Sequence, residues 1–322
     1  MPSNLHTEKR RTACHSFTRD VHGNPETVRI VPKERYRRLK VYEKMDIAGL
    51  LDKHPVIRGV GIEQQSKDET DLAIQLRLDG KKNTLRAQSA LPNRIQQTPI
   101  TTTEQEGELV LEGDCDGGSR DNQTVDPVEG CAGIYVRIPD GYIATGTACL
   151  AGYDADTNDP MILTCWHVAD EKIDKYLYQN GRKVGVFSGM DTGMDAAKYR
   201  ATDAVDVRDT LEPNLKEITG TWDFSGLTDA VAWGATVGGY YGGRKTCYAY
   251  SSCYDTERNA RVDYQAEFSD HPTTGGDSGG PWVDYDGKLI CMHQGYFTNW
   301  DGEHCRGMVG TELLDAIGMT LY

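Results

Sequence analysis

This sequence predicts a mainly β chain built on antiparallel barrels, with a small α+β module in front of them. Three observations lead there. From Gly133 onward, short β-prone runs such as Gly133 to Ile138 and Tyr142 to Leu150 are separated by turn signals, Pro139-Asp140-Gly141 and Asp154 to Pro160, which is the pattern of antiparallel barrels. Ahead of that region, residues 45 to 78 mix one helix-like run with two strand-like runs. The chain has 322 residues, more than one average domain, so two units are expected.

Composition narrows the function classes. Lys and Arg total 35 against 49 Asp and Glu, a net charge of −14, so the basic footprint of a nucleic-acid binder is missing. No run is long and apolar enough for a transmembrane helix, and Lys9, Arg10 and Arg11 are not followed by the apolar core of a secretory signal. The default location is therefore cytoplasmic. The nine cysteines pull the other way, toward disulfides and an extracytoplasmic site. Cys149 and Cys165, on the arms of an expected hairpin, are the preferred pair, and Cys247 with Cys253 would close a small loop. Without Cys-x-x-Cys or paired-histidine spacing, no metal is expected.

Taken in order, residues 1–40 read as a polar, basic, loosely packed arm, with helix-compatible charge from Lys33 to Lys44. Residues 41–108 read as a small α+β leader module: Met45, Ile47, Leu50 and Leu51 suit a short helix, Val56 to Ile62 a strand, and Leu72 to Leu78 a second strand of alternating character. The Thr-, Glu-, Asp- and Gly-rich stretch from Thr101 to Glu129 lacks apolar periodicity, so 109–130 is expected to be an exposed linker. Residues 131–322 form the last unit. Near its end, Trp282 to Ile290 reads as a hairpin with an Asp286-Gly287 turn, and Thr311 as the N-cap of a short amphipathic helix through Leu313, Leu314 and Ile317.

The chemistry concentrates in Thr273-Thr274-Gly275-Gly276-Asp277-Ser278-Gly279-Gly280-Pro281-Trp282. Glycines on both sides of Ser278 let the hydroxyl project while the Gly276 and Ser278 amides point at one spot, an arrangement suited to an oxyanion. From Gly276 to Pro281 the chain resembles the nucleophile motif of chymotrypsin-like serine peptidases. Gly276 to Gly280 also satisfies Gly-x-Ser-x-Gly, the elbow of α/β-hydrolases, but that fold needs its acid and histidine after the serine and only 44 residues follow Ser278. The chymotrypsin-like order places them upstream. Met161-Ile162-Leu163-Thr164-Cys165-Trp166-His167 is an apolar run ending in a histidine, similar to that family's histidine strand, and Asp195 in Gly193-Met194-Asp195-Ala196-Ala197 suits the acid, with Asp191 and Asp203 as alternatives.

The resemblance implies two six-stranded antiparallel β-barrels with a C-terminal helix, His167 and Asp195 in the first and Ser278 in the second. It implies a serine endopeptidase acting on protein or peptide substrates as a monomer, with no cofactor, no nucleic acid and no membrane. A weaker similarity, in Val56 to Ile62, Ala73 to Leu76 and Leu91-Pro92, is to leader modules of prokaryotic members. The Pro272 position, six before the serine, argues against a Lys or Arg preference. Thr273-Thr274-Gly275-Gly276 and Cys291-Met292-His293-Gln294-Gly295 are similar to glutamyl endopeptidases, which implies that Thr273 and His293 bind an acidic side chain, or a glutamine. The competing readings are a catalytically silent binding protein on the same fold, and an esterase.

Overall fold

A computed structural model describes residues 12–19, 25–66, 68, 70–79, 91–105, 110–111, 128–130, 133–137, 143–169, 175–203, 205–211, 216–222, 228–235, 239–240, 245–255, 260–268, 273–299 and 302–321. The N-terminal part contributes strands β1 (Thr12–Arg19) and β2 (Pro25–Pro32), helices α1 (Lys33–Glu43) and α2 (Ile47–Lys53), then β3 (Ile57–Gln64), β4 (Leu72–Asp79), β5 (Arg94–Ile95), β6 (Thr98–Gln105), β7 (Val110–Leu111) and β8 (Val128–Gly130). Strands β9 (Gly133–Arg137), β10 (Ile143–Thr147), β11 (Leu150–Asp154) and β12 (Pro160–Cys165) run into a one-turn helix, α3 (Trp166–Ala169). After it come β13 (Tyr176–Gln179), β14 (Arg182–Asp191), β15 (Ala196–Ala201), β16 (Val207–Leu211) and β17 (Lys216–Glu217). The last third holds β18 (Gly220–Trp222), β19 (Thr228–Gly234), β20 (Gly239–Tyr240), β21 (Lys245–Asp255), β22 (Ala260–Phe268), β23 (Pro281–Val283), β24 (Lys288–Asn299), β25 (Gly302–Val309), helix α4 (Gly310–Ile317) and β26 (Met319–Thr320).

The architecture is mainly β and antiparallel, as expected. One eight-stranded sheet runs β10-β9-β13-β14-β15-β12-β11-β26, so the C-terminal strand returns to the first half of the unit. A larger sheet holds β18 to β25 and continues through β21 into β3, β4, β6 and β5. Each sheet buries its own apolar set, Ile134, Ile162, Leu177 and Tyr199 in the first, Trp222, Phe268, Trp282 and Ile290 in the second. A third set, including Leu163, Met194, Trp233, Met292 and Leu313, joins the two sheets, and it is this shared core that fixes loops from both halves against one another.

Several expectations change. Residues 12–19 and 25–32 form a hairpin that docks through Thr18 and Arg19 onto β18 rather than a loose arm. Helix α1 buries Arg35, Leu39 and Tyr42, one face at helical spacing, against β3 and β4. The expected run at Met45 to Leu51 is α2, with the Asp46 carboxylate accepting from the Gly49 amide at its start. Strand β4 does not alternate: Leu72, Ile74, Leu76 and Leu78 on one face pack with Leu39 and Tyr42 of α1, and on the other face Arg77 ion-pairs with Glu267 of β22. Residues 98–105, which run into the stretch from Thr101 that lacks apolar periodicity, are β6, parallel to β4. Thr311 is not the N-cap of α4; Val309 stands there without a side-chain cap, and the Thr311 hydroxyl donates to Thr221.

The expected disulfide between Cys149 and Cys165 does not form. Both are buried thiols; burial pushes the Cys149 thiol far up, so it stays protonated, and the Cys165 thiol donates to the His293 carbonyl. Cys247 and Cys253 lie on one strand, β21; six residues of extended chain span roughly 20 Å, against about 6 Å between bridged Cα atoms. Among the described residues no helix is long and apolar enough to cross a membrane.

The turn from β11 to β12 is anchored to β15 by Asp154, whose carboxylate accepts from Lys198 at 2.8 Å and from the Thr157 and Asp156 amides. These partners, Lys198 first, hold its pKa at about 2 against an ordinary 3.8. A depressed carboxyl stabilises the fold above the ordinary pKa and loses that contribution as pH falls toward 2. Thermal unfolding of Asp154→Asn against the parent should therefore show a deficit of about 0.5 to 1 kcal/mol at pH 6, shrinking to nothing between pH 4 and pH 2.

Candidate active site

Strand register brings the first two groups together. Strands β12 and β15 pair antiparallel with Cys165 opposite Ala196, and one step further the Trp166 amide donates to the Asp195 carbonyl at 2.8 Å. His167 therefore starts its turn of helix directly beside Asp195. The Asp195 carboxylate grips it twice, through Oδ2 to the ring Nδ1 at 2.7 Å and through Oδ1 to the backbone amide of His167 at 3.0 Å. Asp195 has φ 47°, a left-handed conformation that aspartate tolerates better than most side chains, and it is fully buried. Asp191, one of the alternatives, instead accepts from the Met194 amide and shapes the loop; Asp203 lies exposed beyond β15.

A carboxylate on Nδ1 holds the hydrogen there and leaves Nε2 as an acceptor. Nε2 lies 2.7 Å from the Ser278 hydroxyl. That hydroxyl has a second acceptor, the Gln294 carbonyl at 2.9 Å, so its single hydrogen is shared between a basic nitrogen and a backbone oxygen. Both Ser278 and Asp195 are buried and the His167 ring is nearly so, which keeps competing water away from the three groups.

The loop from Thr273 to Gly280 is held by both halves of the fold. From the first half, the Thr147 amide donates to the Ser278 carbonyl at 2.8 Å, and the Thr147 hydroxyl donates to the Gly276 carbonyl at 2.8 Å. From the second half, the Gly279 amide donates to the His293 carbonyl and the His293 amide to Gly280, at 2.9 and 2.7 Å. Gly279 has φ 91°, and a Cβ there would overlap the Thr147 carbonyl oxygen and the Thr164 hydroxyl, so no other residue fits. The amides of Asp277, Gly279 and Gly280 all donate within the loop or to His293, whereas among the described residues no protein acceptor takes those of Gly276 and Ser278.

Of the expected pocket residues, Thr273 begins this loop and His293 lies on the strand beside it. His293 is buried on β24, with Trp282 Nε1 at 3.3 Å from its Nδ1. An indole nitrogen only donates, so Nδ1 accepts and the neutral ring carries its hydrogen on Nε2. Thr273 is buried too, its hydroxyl 3.2 Å from the Cys305 thiol on β25. His293 is tied to the serine loop through its backbone bonds to Gly279 and Gly280, while the Thr273 hydroxyl meets Cys305.

Among the described residues, the donor set that could hold a cation falls within this same group. Cys165, His167 and Asp195 offer atoms within 4.8 Å of one another, yet both nitrogens of His167 are hydrogen-bonded and the Cys165 thiol donates to the His293 carbonyl at 3.1 Å. The arrangement fits proton transfer along a hydrogen-bonded line better than it fits a metal.

The fold is that of the chymotrypsin-like serine proteases. The chain is similar to a solved structure described as alpha-lytic protease homolog N4, with 18% identity, a TM-score of 0.50, and 61% of this chain covering 100% of that one. It is also similar to a glutamic acid specific serine protease described as using a histidine triad in substrate binding, with 20% identity, a TM-score of 0.48, and 61% of this chain covering all of that one. No protein-family model and no curated protein sequence matches the chain. At these identities the likeness shows the fold, and the chemistry is read from the site.

Sequence reading passed over Thr147 except as part of a strand. Its hydroxyl also accepts from the Ala235 amide at 3.0 Å, so one side chain ties β10, the serine loop and the end of β19 together. The signal that finds it is a buried hydroxyl opposite a Gly-rich loop, which only the packing reveals. Replacing it with the isosteric valine, Thr147→Val, strands a buried carbonyl and a buried amide. The loss should be about 1 to 3 kcal/mol, read as a lower denaturant midpoint with an unchanged slope.

Proposed function

We propose that the chain is a serine endopeptidase. The observation that carries this is the His167 ring, 2.7 Å from the Asp195 carboxylate on one side and 2.7 Å from the Ser278 hydroxyl on the other. In this reading Ser278 attacks the scissile carbonyl carbon while His167 takes its proton and later gives it to the leaving amine. Asp195 holds the tautomer and stabilises the imidazolium. The developing oxyanion is received by the Gly276 and Ser278 amides, which have no other acceptor among the described residues. The residues from about 131 onward are the peptidase unit and those before the linker a leader that can be removed.

Two other classes compete. A binding protein on the same fold needs no working nucleophile, and an esterase would share it. A fluorophosphonate probe should label the wild type and not Ser278→Ala; unchanged labelling of Ser278→Ala would remove the nucleophile assignment. Asp195→Asn, which preserves shape and misplaces the imidazole hydrogen, should lower kcat by about ten-thousandfold at neutral pH. Turnover of peptides against simple esters separates peptidase from esterase.

Preference for an acidic residue before the scissile bond follows from His293 and Thr273. The neutral His293 ring presents Nε2 as a donor, and the Thr273 hydroxyl supplies another, a pairing that suits glutamate and tolerates glutamine. In a peptide library, cleavage after Glu should dominate and should fall at least tenfold in His293→Ala while fluorophosphonate labelling persists. An optimum at basic or large apolar residues, indifferent to His293→Ala, removes the pocket assignment.

A further inference from the structure

We infer that a small monovalent anion of the chloride class binds in a closed polar chamber between β4 and the face of β22, β24 and β25 that turns away from Phe268, held by Arg306 and the side chain of Gln294. The site does not depend on the peptidase reading.

Strand alternation defines the chamber. On β22, Glu267 lies between Ala266 and Phe268, both in the apolar set of the second sheet, and on β25 Arg306 follows Cys305 of that same set. Successive side chains point to opposite faces, so Glu267 and Arg306, opposite one another in register, project together from the other face. Gln265, two residues before Glu267, shares that face, and its amide donates to the Gln294 side-chain oxygen at 2.6 Å. To make that bond the Gln294 side chain crosses β25, which pairs with β24 on one edge and β22 on the other, and so passes beside Arg306, whose partner on β24 is Gly295. Strand β4 closes the chamber, its Arg77 ion-paired with Glu267. Arg77, Gln265, Glu267, Gln294 and Arg306 are all fully buried.

Hydrogen bonding and charge both require an anion here. The Gln294 side-chain nitrogen and the Nε and Nη1 of Arg306 have no acceptor among the described residues, and Nη2 has only the Glu267 carboxylate, at 3.2 Å. Buried donors are ordinarily satisfied. Glu267 is moreover one carboxylate shared by two guanidinium groups, Oε2 facing Arg77 and Oε1 facing Arg306. Of the other acids nearby, Glu63 accepts from the Gln75 and Gln65 amides, and Asp79 stands one pleat beyond Arg77 along β4. The ion pair of Arg306 is with Glu267 alone among the described residues. Glu267 and Arg306 by themselves are neutral together, and Arg77 brings one buried positive charge in excess, which needs a counter-charge. A water molecule takes the free hydrogens but supplies no charge. A monatomic anion supplies it and accepts from any direction, which suits a guanidinium edge and an amide reaching in from neighbouring strands.

Bound there, the anion joins β4 to the strand whose Gln294 carbonyl accepts from the Ser278 hydroxyl at 2.9 Å. Docking of the N-terminal strands on the second sheet thereby becomes dependent on halide.

The experiment unfolds the full chain by heat in chloride and in gluconate at one ionic strength, and grows its crystals with bromide, a chloride substitute that scatters anomalously. The midpoint should be about 3 °C higher in chloride, and an anomalous peak should lie within hydrogen-bond reach of Arg306 and Gln294. Arg306→Met removes the donors and the excess charge, so its midpoints in the two salts should coincide and the peak should vanish. Arg77→Met removes only the excess charge and should behave the same way, which keeps the test open should Arg306→Met fail to fold. Each variant is compared with itself in the two salts, so a general loss of packing does not count as support. Equal midpoints for the wild type with no bromide peak in the chamber, or a chloride effect that Arg77→Met retains in full, overturns the site.

Discussion

Everything at the candidate site depends on how the Thr273 to Gly280 loop is clamped. Thr147 from the first half holds the carbonyls of Gly276 and Ser278, and His293 from the second half holds Gly279 and Gly280. Neither half alone would fix the serine. Because the carbonyls face inward to these partners, the peptide planes are fixed, and the Gly276 and Ser278 amides are left without protein acceptors among the described residues. The same clamp sets the distance to His167, whose own position follows from the β12 and β15 register. A fold that divides nucleophile and base between two sheets gains a precise junction at the cost of needing that shared core.

The N-terminal part is joined to the second sheet by more than proximity. Strand β3 continues the sheet beyond β21, with Glu63 to Gly59 opposite Ala249 to Cys253. Glu267 of β22 pairs with Arg77 of β4 and with Arg306 of β25, all three buried, and the two guanidinium groups lie 5.3 and 4.1 Å from the centre of the Phe297 ring. A buried carboxylate is tolerable only with such partners, and removing one partner leaves an uncompensated charge. The N-terminal strands β3, β4 and β6 therefore sit as structural neighbours of the strands, β24 and β25, that border the candidate site.

Much of this was legible before any coordinates. The alternation of short β runs and turn signals gave the mainly antiparallel fold, and the Gly-rich loop around Ser278, the strand into His167 and the small-residue context of Asp195 marked three positions that lie within hydrogen-bond reach of one another. What misled was local chemistry read without neighbours. Leu72 to Leu78 looks half-exposed because Arg77 is charged, yet Glu267, 190 residues later, buries it. Thr311 looks like a cap because of its type, but Thr221 takes its hydroxyl. Cys149 and Cys165 look like a bridge because they flank a hairpin, while the Cys165 thiol is turned to the His293 carbonyl.

By itself, then, the sequence marked which side chains are candidates for chemistry and in what order they come, since motif spacing and strand periodicity are local properties of the chain. Tertiary structure alone decided which partners those side chains meet. Thr147 at the serine loop, the indole of Trp282 fixing the hydrogen of His293 on Nε2, and Val110 and Leu111 on the edge of β24 are all contacts between segments far apart in sequence. Such pairings arise from sheet register and from the shared core, and no residue type or spacing encodes them, because hydrogen-bond partners are selected by what burial brings within reach.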